Sequence, residues 1–255
     1  MDAVVPVAGR GTRLLPLTRA VPKELLPLDG KPIVEHVVDE LHAAGVDRIA
    51  LVTRAGKGAI EDHFDDRRIV AVRQGEPRGL GDAVACAQTL SPGGPFVVAL
   101  GDCVYRTPAV VTALLAAHAA EPDAAAVIAV ERVAPERISR YGVVAVDGDR
   151  VVDVVEKPAP RDAPSDLAIA ARYLLTPAIF AALREVAPDA SGEIGLTPAL
   201  AALARAGERV LAVELPPGER RYDIGDVRSY TETFVEFALA RDPGLAERAG
   251  AGGAR

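Results

Sequence analysis

Phe96-Val97-Val98-Ala99-Leu100 is an unbroken apolar run that stops at Gly101-Asp102. A strand without polar alternation has no face to offer water, so both of its faces are covered. Such a run commits the chain to layers, with a sheet in the middle and helices on each side. The rest of the first half fits that scheme. Strand-like runs at 3–8, 48–53, 69–73 and 125–130 alternate with helical patterns near 59–64, 80–90 and 108–120. A further helix opens at Pro32, where proline suits the first turn, and stops at Gly45. Its apolar positions Ile33, Val34, Val37, Val38 and Leu41 share one face at helical spacing. Strands alternating with helices predict a mostly parallel sheet.

The second half reads differently. Tyr141 to Val146, the turn Asp147-Gly148-Asp149, and Val151 to Glu156 form a hairpin pattern. A strand over 167–175, helices near 177–186 and 198–206, a strand over 210–215 and a helix over 228–240 follow. The reading is a single domain over 1–241, with a flexible Gly- and Ala-rich tail over 242–255.

Composition narrows the function classes. Asp and Glu outnumber Lys and Arg by 36 to 29, a formal charge of −7, whereas a nucleic-acid binder needs a basic surplus. Hydrophobic residues make up 49% and charged residues 25%, which is too apolar for a largely disordered chain. No uncharged apolar stretch reaches the roughly 18 residues of a spanning helix, so no membrane partner is expected. Met1-Asp2 runs straight into Ala3 to Ala8 without the pattern of a secretion signal. Cys86 and Cys103 make neither a disulfide framework nor a zinc site. The expectation is two reduced thiols in a cytoplasmic protein. His36, His42, His63 and His118 lie on helical patterns with no partner at ligand spacing. Aromatics are only 4% of the chain, so Tyr230, Phe234 and Phe237 on the last helix stand out. They read as core packing or as a subunit contact.

Several segments carry chemistry. Ala8-Gly9-Arg10-Gly11-Thr12-Arg13 follows the first strand. Glycines there let backbone N–H groups line a concavity, and Arg13 adds charge, which suits a phosphate. The spacing is neither that of a P-loop nor that of a dinucleotide fingerprint. Taken alone, the loop is equally an ordinary turn between elements. Lys23 lies in a proline-punctuated loop, within reach of the same phosphates or as a solvated lysine. Asp102 ends the most apolar strand, where ligands of open α/β sheets bind. It suits Mg²⁺ or the N-cap of the following segment. Glu156-Lys157-Pro158 ends a second-half strand and presents a sugar- and phosphate-binding pair or an exposed ion pair. Asp223 reads as a second metal carboxylate or as a helix cap.

Taken together, these pieces resemble the sugar-1-phosphate nucleotidyltransferases, and most closely their bacterial uridylyltransferases acting on glucose 1-phosphate. The resemblance runs from Ala3 to about Leu239. It is carried by Pro6-Val7-Ala8-Gly9-Arg10-Gly11-Thr12-Arg13-Leu14-Leu15-Pro16, Pro22-Lys23-Glu24-Leu25-Leu26-Pro27-Leu28, Val72-Arg73-Gln74-Gly75 and Gly79-Leu80-Gly81. The second half adds Tyr141-Gly142-Val143-Val144, Val155-Glu156-Lys157-Pro158, Arg172-Tyr173-Leu174-Leu175-Thr176-Pro177 and Tyr222-Asp223.

The resemblance implies a three-layer, Rossmann-like α/β nucleotidyltransferase fold around a mixed, largely parallel central sheet. A nucleotide-binding half would cover about 1–130 and a sugar-binding half about 131–241. UTP and a sugar 1-phosphate are the implied substrates and Mg²⁺ the implied cofactor; the aromatics of the last helix, and not the resemblance, suggest a homo-oligomer through that helix. Ala8, Gly9, Gln74 and Gly79 would meet the uridine. Gly11, Thr12, Arg13 and Lys23 would cradle the triphosphate, and Asp102 and Asp223 would hold Mg²⁺. Gly142 and Glu156 would bind glucose hydroxyls and Lys157 the sugar phosphate. Arg13, Lys23, Asp102 and Lys157 form the implied catalytic set. Sister enzymes taking dTTP or another sugar phosphate are the alternatives, as is an inactive sugar-nucleotide-binding subunit. The chain departs from the uridylyltransferase pattern at Asp82, Gly101, Gly195, Pro198 and Arg228, and it is short between Asp66 and Val70.

Overall fold

The fold is given by a computed structural model that describes residues 1–90 and 93–251. The first half contains β1 (Asp2–Pro6), β2 (Pro27–Leu28), β3 (Lys31–Pro32), α1 (Ile33–Ala43), β4 (Arg48–Thr53) and α2 (Gly58–His63). It continues through β5 (Ile69–Arg73), α3 (Leu80–Cys86), β6 (Phe96–Ala99), β7 (Cys103–Val104) and α4 (Ala109–Ala120). The second half holds β8 (Ala126–Arg132), α5 (Pro135–Ile138), β9 (Gly142–Asp147), β10 (Arg150–Glu156) and β11 (Leu167–Leu175). It ends with α6 (Ala178–Glu185), α7 (Leu196–Arg205), β12 (Val210–Glu214), β13 (Tyr222–Asp223), α8 (Val227–Arg241) and α9 (Leu245–Ala251).

Strand periodicity explains the layers. In β1, Ala3 and Val5 face one side and Val4 the other; in β6, Val97 and Ala99 oppose Phe96 and Val98. The Ala3 side is covered by α1, α2 and α4 through Val34, Val37, Ile60 and Val111. The Val4 side is covered by α3, α6 and α7, with Phe96 stacked on Phe180 at 5.4 Å. Both strands are buried throughout their centres, as the unbroken apolar run requires.

The main sheet runs β5-β4-β1-β6-β11-β8-β12-β10-β9. It is parallel from β5 to β6 and between β8 and β12. β11 runs antiparallel to β6 and β8, and β9–β10 is an antiparallel hairpin. Its two-residue loop places Gly148 at φ +64, a conformation that favours glycine. Gly45 likewise ends α1 at φ +86.

The two sides of α8 differ. Phe237 is buried edge-on against Tyr222, while Phe234 and Val235 remain exposed on its outer side. The segment after Asp242 contains α9, and 252–255 lie outside the described residues. Among the described residues, no helix is long and apolar enough to cross a membrane. Cys86 and Cys103 are free thiols, with Cys103 buried.

Candidate active site

Parallel strands β1 and β6 end side by side, and their loops open at the same edge. Close approach there depends on Gly101. A Cβ at that position would lie 2.6 Å from Val7 Cγ1 and 3.1 Å from Pro6 O. After β1, Gly11 adopts φ +66 and opens a short 3-10 turn over Thr12–Leu14. Thr18 Oγ1 donates to Gly11 O at 2.8 Å and holds that turn.

The proline-rich loop is anchored from below. Glu24 and Lys57 are both buried and paired at 2.7 Å, and Lys57 Nζ also donates to Val7 O. Burial pushes the Glu24 carboxyl up and the Lys57 ammonium down, and their mutual attraction only partly offsets this. The pair ties the 3-10 turn Lys23–Leu25 to the end of β1 and the start of α2. Lys23 is thereby aimed at Asp102, and its Nζ donates to Oδ2. Burial works against both charges, but the two attract strongly. Lys23 sits above the usual lysine value and Asp102 below the usual carboxylate value.

Asp223 arrives from a distant part of the chain. The two-residue ladder β7–β13 sets Asp223 opposite Cys103, and Ile224 N donates to Asp102 O at 2.9 Å. Burial and the nearby Asp102 charge raise Asp223, with Arg221, Arg140 and Arg13 pulling the other way. Two carboxylates are thus held close enough to repel. Among the described residues, no three of His, Cys, Asp and Glu gather into a metal cage. Paired carboxylates without further protein ligands suit a divalent cation that takes waters and substrate phosphates as its other ligands.

Arg172 supports this ladder from the core. Its fully buried guanidinium donates to Glu40 at 3.0 and 2.6 Å and to Cys103 O at 2.9 Å. It also lies over the Tyr105 ring.

One cavity of about 780 Å³ collects most of these groups. Its wall includes Ala8, Gly9, Gly11, Thr12, Arg13, Lys23, Gln74, Gly79 and Asp102. Gly225, two residues after Asp223, also lines it, and the Arg13 guanidinium lies against that glycine. Gly79, in the same wall, has φ +98, and a Cβ there would lie 2.6 Å from Ile194 O. Gly79→Ala is therefore expected to cost about 2–4 kcal/mol, from glycine-only backbone plus overpacking. Urea unfolding measures this, and a loss below about 1 kcal/mol would contradict the tight contact.

Gly142, Glu156 and Lys157 form a second group on the hairpin, outside the wall of that cavity. Register places Gly142 opposite Glu156. Thr197 Oγ1 donates to Glu156 Oε2 at 2.6 Å, and Lys157 Nζ lies 3.2 Å from Oε1. A Cβ on Gly142 would come within 3.3 Å of Glu156 Oε2, so glycine leaves that carboxylate room.

Residues without a role in the sequence reading complete the site. They are the Glu24–Lys57 anchor, Thr197 on Glu156, Arg172 behind Cys103, and Asp82 on Gln74. Only the last had any signal, since Arg78 and Asp82 are four residues apart with opposite charge, and Arg78 reaches the carboxylate from the loop before α3.

Comparison with known proteins follows the same lines. The family model described as nucleotidyl transferase matches residues 2–238. A UTP–glucose-1-phosphate uridylyltransferase of Streptococcus pneumoniae is 41% identical over 93% of this chain and 90% of its own. A UDP-glucose pyrophosphorylase complexed with UDP-glucose superposes with a TM-score of 0.85 at 34% identity, covering 94% of this chain and 98% of that one. A UTP-bound enzyme of the same kind from Acinetobacter baumannii gives 0.85 at 29% identity, over 98% and 97%.

Proposed function

The chain belongs to the nucleotidyl transferase family, and we propose that it transfers the uridylyl group of UTP to glucose 1-phosphate, giving UDP-glucose and pyrophosphate. One observation carries this reading. The glycine loop, Lys23 and Asp102 converge with Gln74 and Gly79 on one cavity at the shared edge of β1 and β6. Relatives matched over nearly their full length bear the same activity in their names.

The reaction requires little chemistry from side chains. A phosphate oxygen of glucose 1-phosphate attacks the α-phosphorus of UTP, and the bond to the β-phosphate breaks. The nucleophile is already an anion, so no general base is needed. What remains is positioning and charge neutralisation.

In this assignment, Ala8, Gly9, Gln74 and Gly79 hold the uridine. Gly11 and Thr12 turn backbone toward the triphosphate, and Arg13 and Lys23 meet its charge. Asp102 and Asp223 would hold Mg²⁺, which would supply charge neutralisation to the reacting phosphates. Gly142 and Glu156 take the sugar hydroxyls, with Thr197 fixing the Glu156 carboxylate, and Lys157 takes the sugar phosphate. The exposed outer side of α8, with Val227, Phe234 and Val235, is the face assigned to self-association. A cytoplasmic setting suits the two free thiols.

Purified protein with Mg²⁺ tests the assignment by pyrophosphate release. UTP and dTTP are crossed against the 1-phosphates of glucose, galactose and N-acetylglucosamine. Strongest release with UTP and glucose 1-phosphate is expected. A clear preference for another pair would move specificity onto Asp82, Gly195, Pro198 and Arg228.

A further inference from the structure

Gln74 lines the cavity and is almost wholly buried. Its Nε2 donates to Asp82 Oδ2 at 2.5 Å and lies 3.5 Å from Gly79 O. The other oxygen of Asp82 accepts from Arg78 Nη2 at 2.8 Å. An aspartate carboxylate accepts hydrogen bonds, so the end of the Gln74 amide facing it must be the NH₂. The carbonyl end points the other way. Among the described residues no donor reaches Gln74 Oε1, yet it is not one of the sealed, unpartnered polar atoms. It therefore opens onto the cavity as a free acceptor.

We propose that Asp82 is a positioning residue for nucleotide selectivity: it locks Gln74 with its carbonyl oxygen toward the base. The inference rests on the reading that this cavity takes a pyrimidine nucleoside triphosphate. An outward carbonyl accepts the ring N3–H of uracil or thymine. Cytosine presents an unprotonated ring nitrogen at the same place, so acceptor meets acceptor and both stay unpaired. Sites that reject by leaving buried polar groups unpaired discriminate strongly. Arg78 is part of the device, because it fixes the Asp82 carboxylate through its other oxygen.

Asp82→Asn gives a sharp test because it keeps the shape and changes the logic. Arg78 still claims an oxygen, so the Asn NH₂ is turned toward Gln74. Donor then faces donor, Gln74 flips, and its own NH₂ faces the base, which suits cytosine. The experiment measures kcat/KM for UTP and CTP with glucose 1-phosphate, in wild type and Asp82→Asn. The UTP-over-CTP ratio is expected to fall by about a hundredfold or more, with CTP use rising. A ratio within threefold of wild type overturns the proposal.

Asp82→Leu removes the tether without imposing a flip, so its ratio is expected between the other two. A ratio equal to wild type would overturn the lock. Calorimetric binding of UTP and CTP without sugar phosphate separates the proposal from the reading beneath it. Wild type that prefers UTP in binding but releases no pyrophosphate overturns the activity and leaves the lock standing if Asp82→Asn shifts binding toward CTP. Wild type that binds neither nucleotide overturns both.

Discussion

Asp102→Ala is expected to lower turnover by about a thousandfold while leaving nucleotide binding largely in place. Loss of one electrostatic group acting on the transition state typically costs two to three decades, and three decades correspond to about 4 kcal/mol. Asp102 has two duties. It holds the partly buried Lys23 ammonium, and it is one of the two carboxylates of the proposed Mg²⁺ site. Asp102→Asn keeps the size and a neutral acceptor for Lys23, yet is expected to lose nearly as much. Recovery in Asp102→Asn would trace the loss to a misplaced Lys23. A protein that only binds sugar nucleotides would have no turnover to lose. Near-normal rates in Asp102→Ala, measured by steady-state pyrophosphate release, would contradict the metal assignment.

Arg172→Met is expected to destabilise the fold by about 3–5 kcal/mol, the cost of leaving a buried charge without its partner. The stranded group is the Glu40 carboxylate on α1, itself buried. The Cys103 carbonyl loses its donor as well, which loosens the strand that positions Asp102 and Asp223. The double variant Arg172→Met with Glu40→Leu removes both charges and is expected to recover most of the loss, since apolar replacement of whole buried pairs is often neutral. Urea denaturation of the three proteins measures both quantities. A single-variant loss below about 1 kcal/mol would mean that Arg172 and Glu40 do not hold one another.

The layered core was legible because its signals are local. The apolar run at Phe96 constrains its own two faces, and the spacing of Ile33 through Leu41 identifies the buried face of α1. The Gly148 turn needs only its neighbours. The site was legible in part. The loop through Arg13, Lys23 and Asp102 were singled out by type and place, and one cavity collects them. The pairing that brings Asp223 beside Asp102 was implied by the family resemblance and not by any local pattern. It depends on two two-residue strands, too short to show any period. Buried charges were equally hidden. No local pattern marks Lys57 or Arg172 as buried. Their partners Glu24 and Glu40 lie far off in sequence. Sequence periodicity reports which faces are dry, but not which charges meet inside.

The most direct test of direct uridylyl transfer follows the α-phosphorus itself. UTP labelled with ³²P at that atom is incubated with the protein, Mg²⁺ and glucose 1-phosphate. The expected result is label in UDP-glucose, one pyrophosphate released for each, and none bound to the protein. Label retained on the protein, or UTP left intact beside glucose 1-phosphate, would contradict the account.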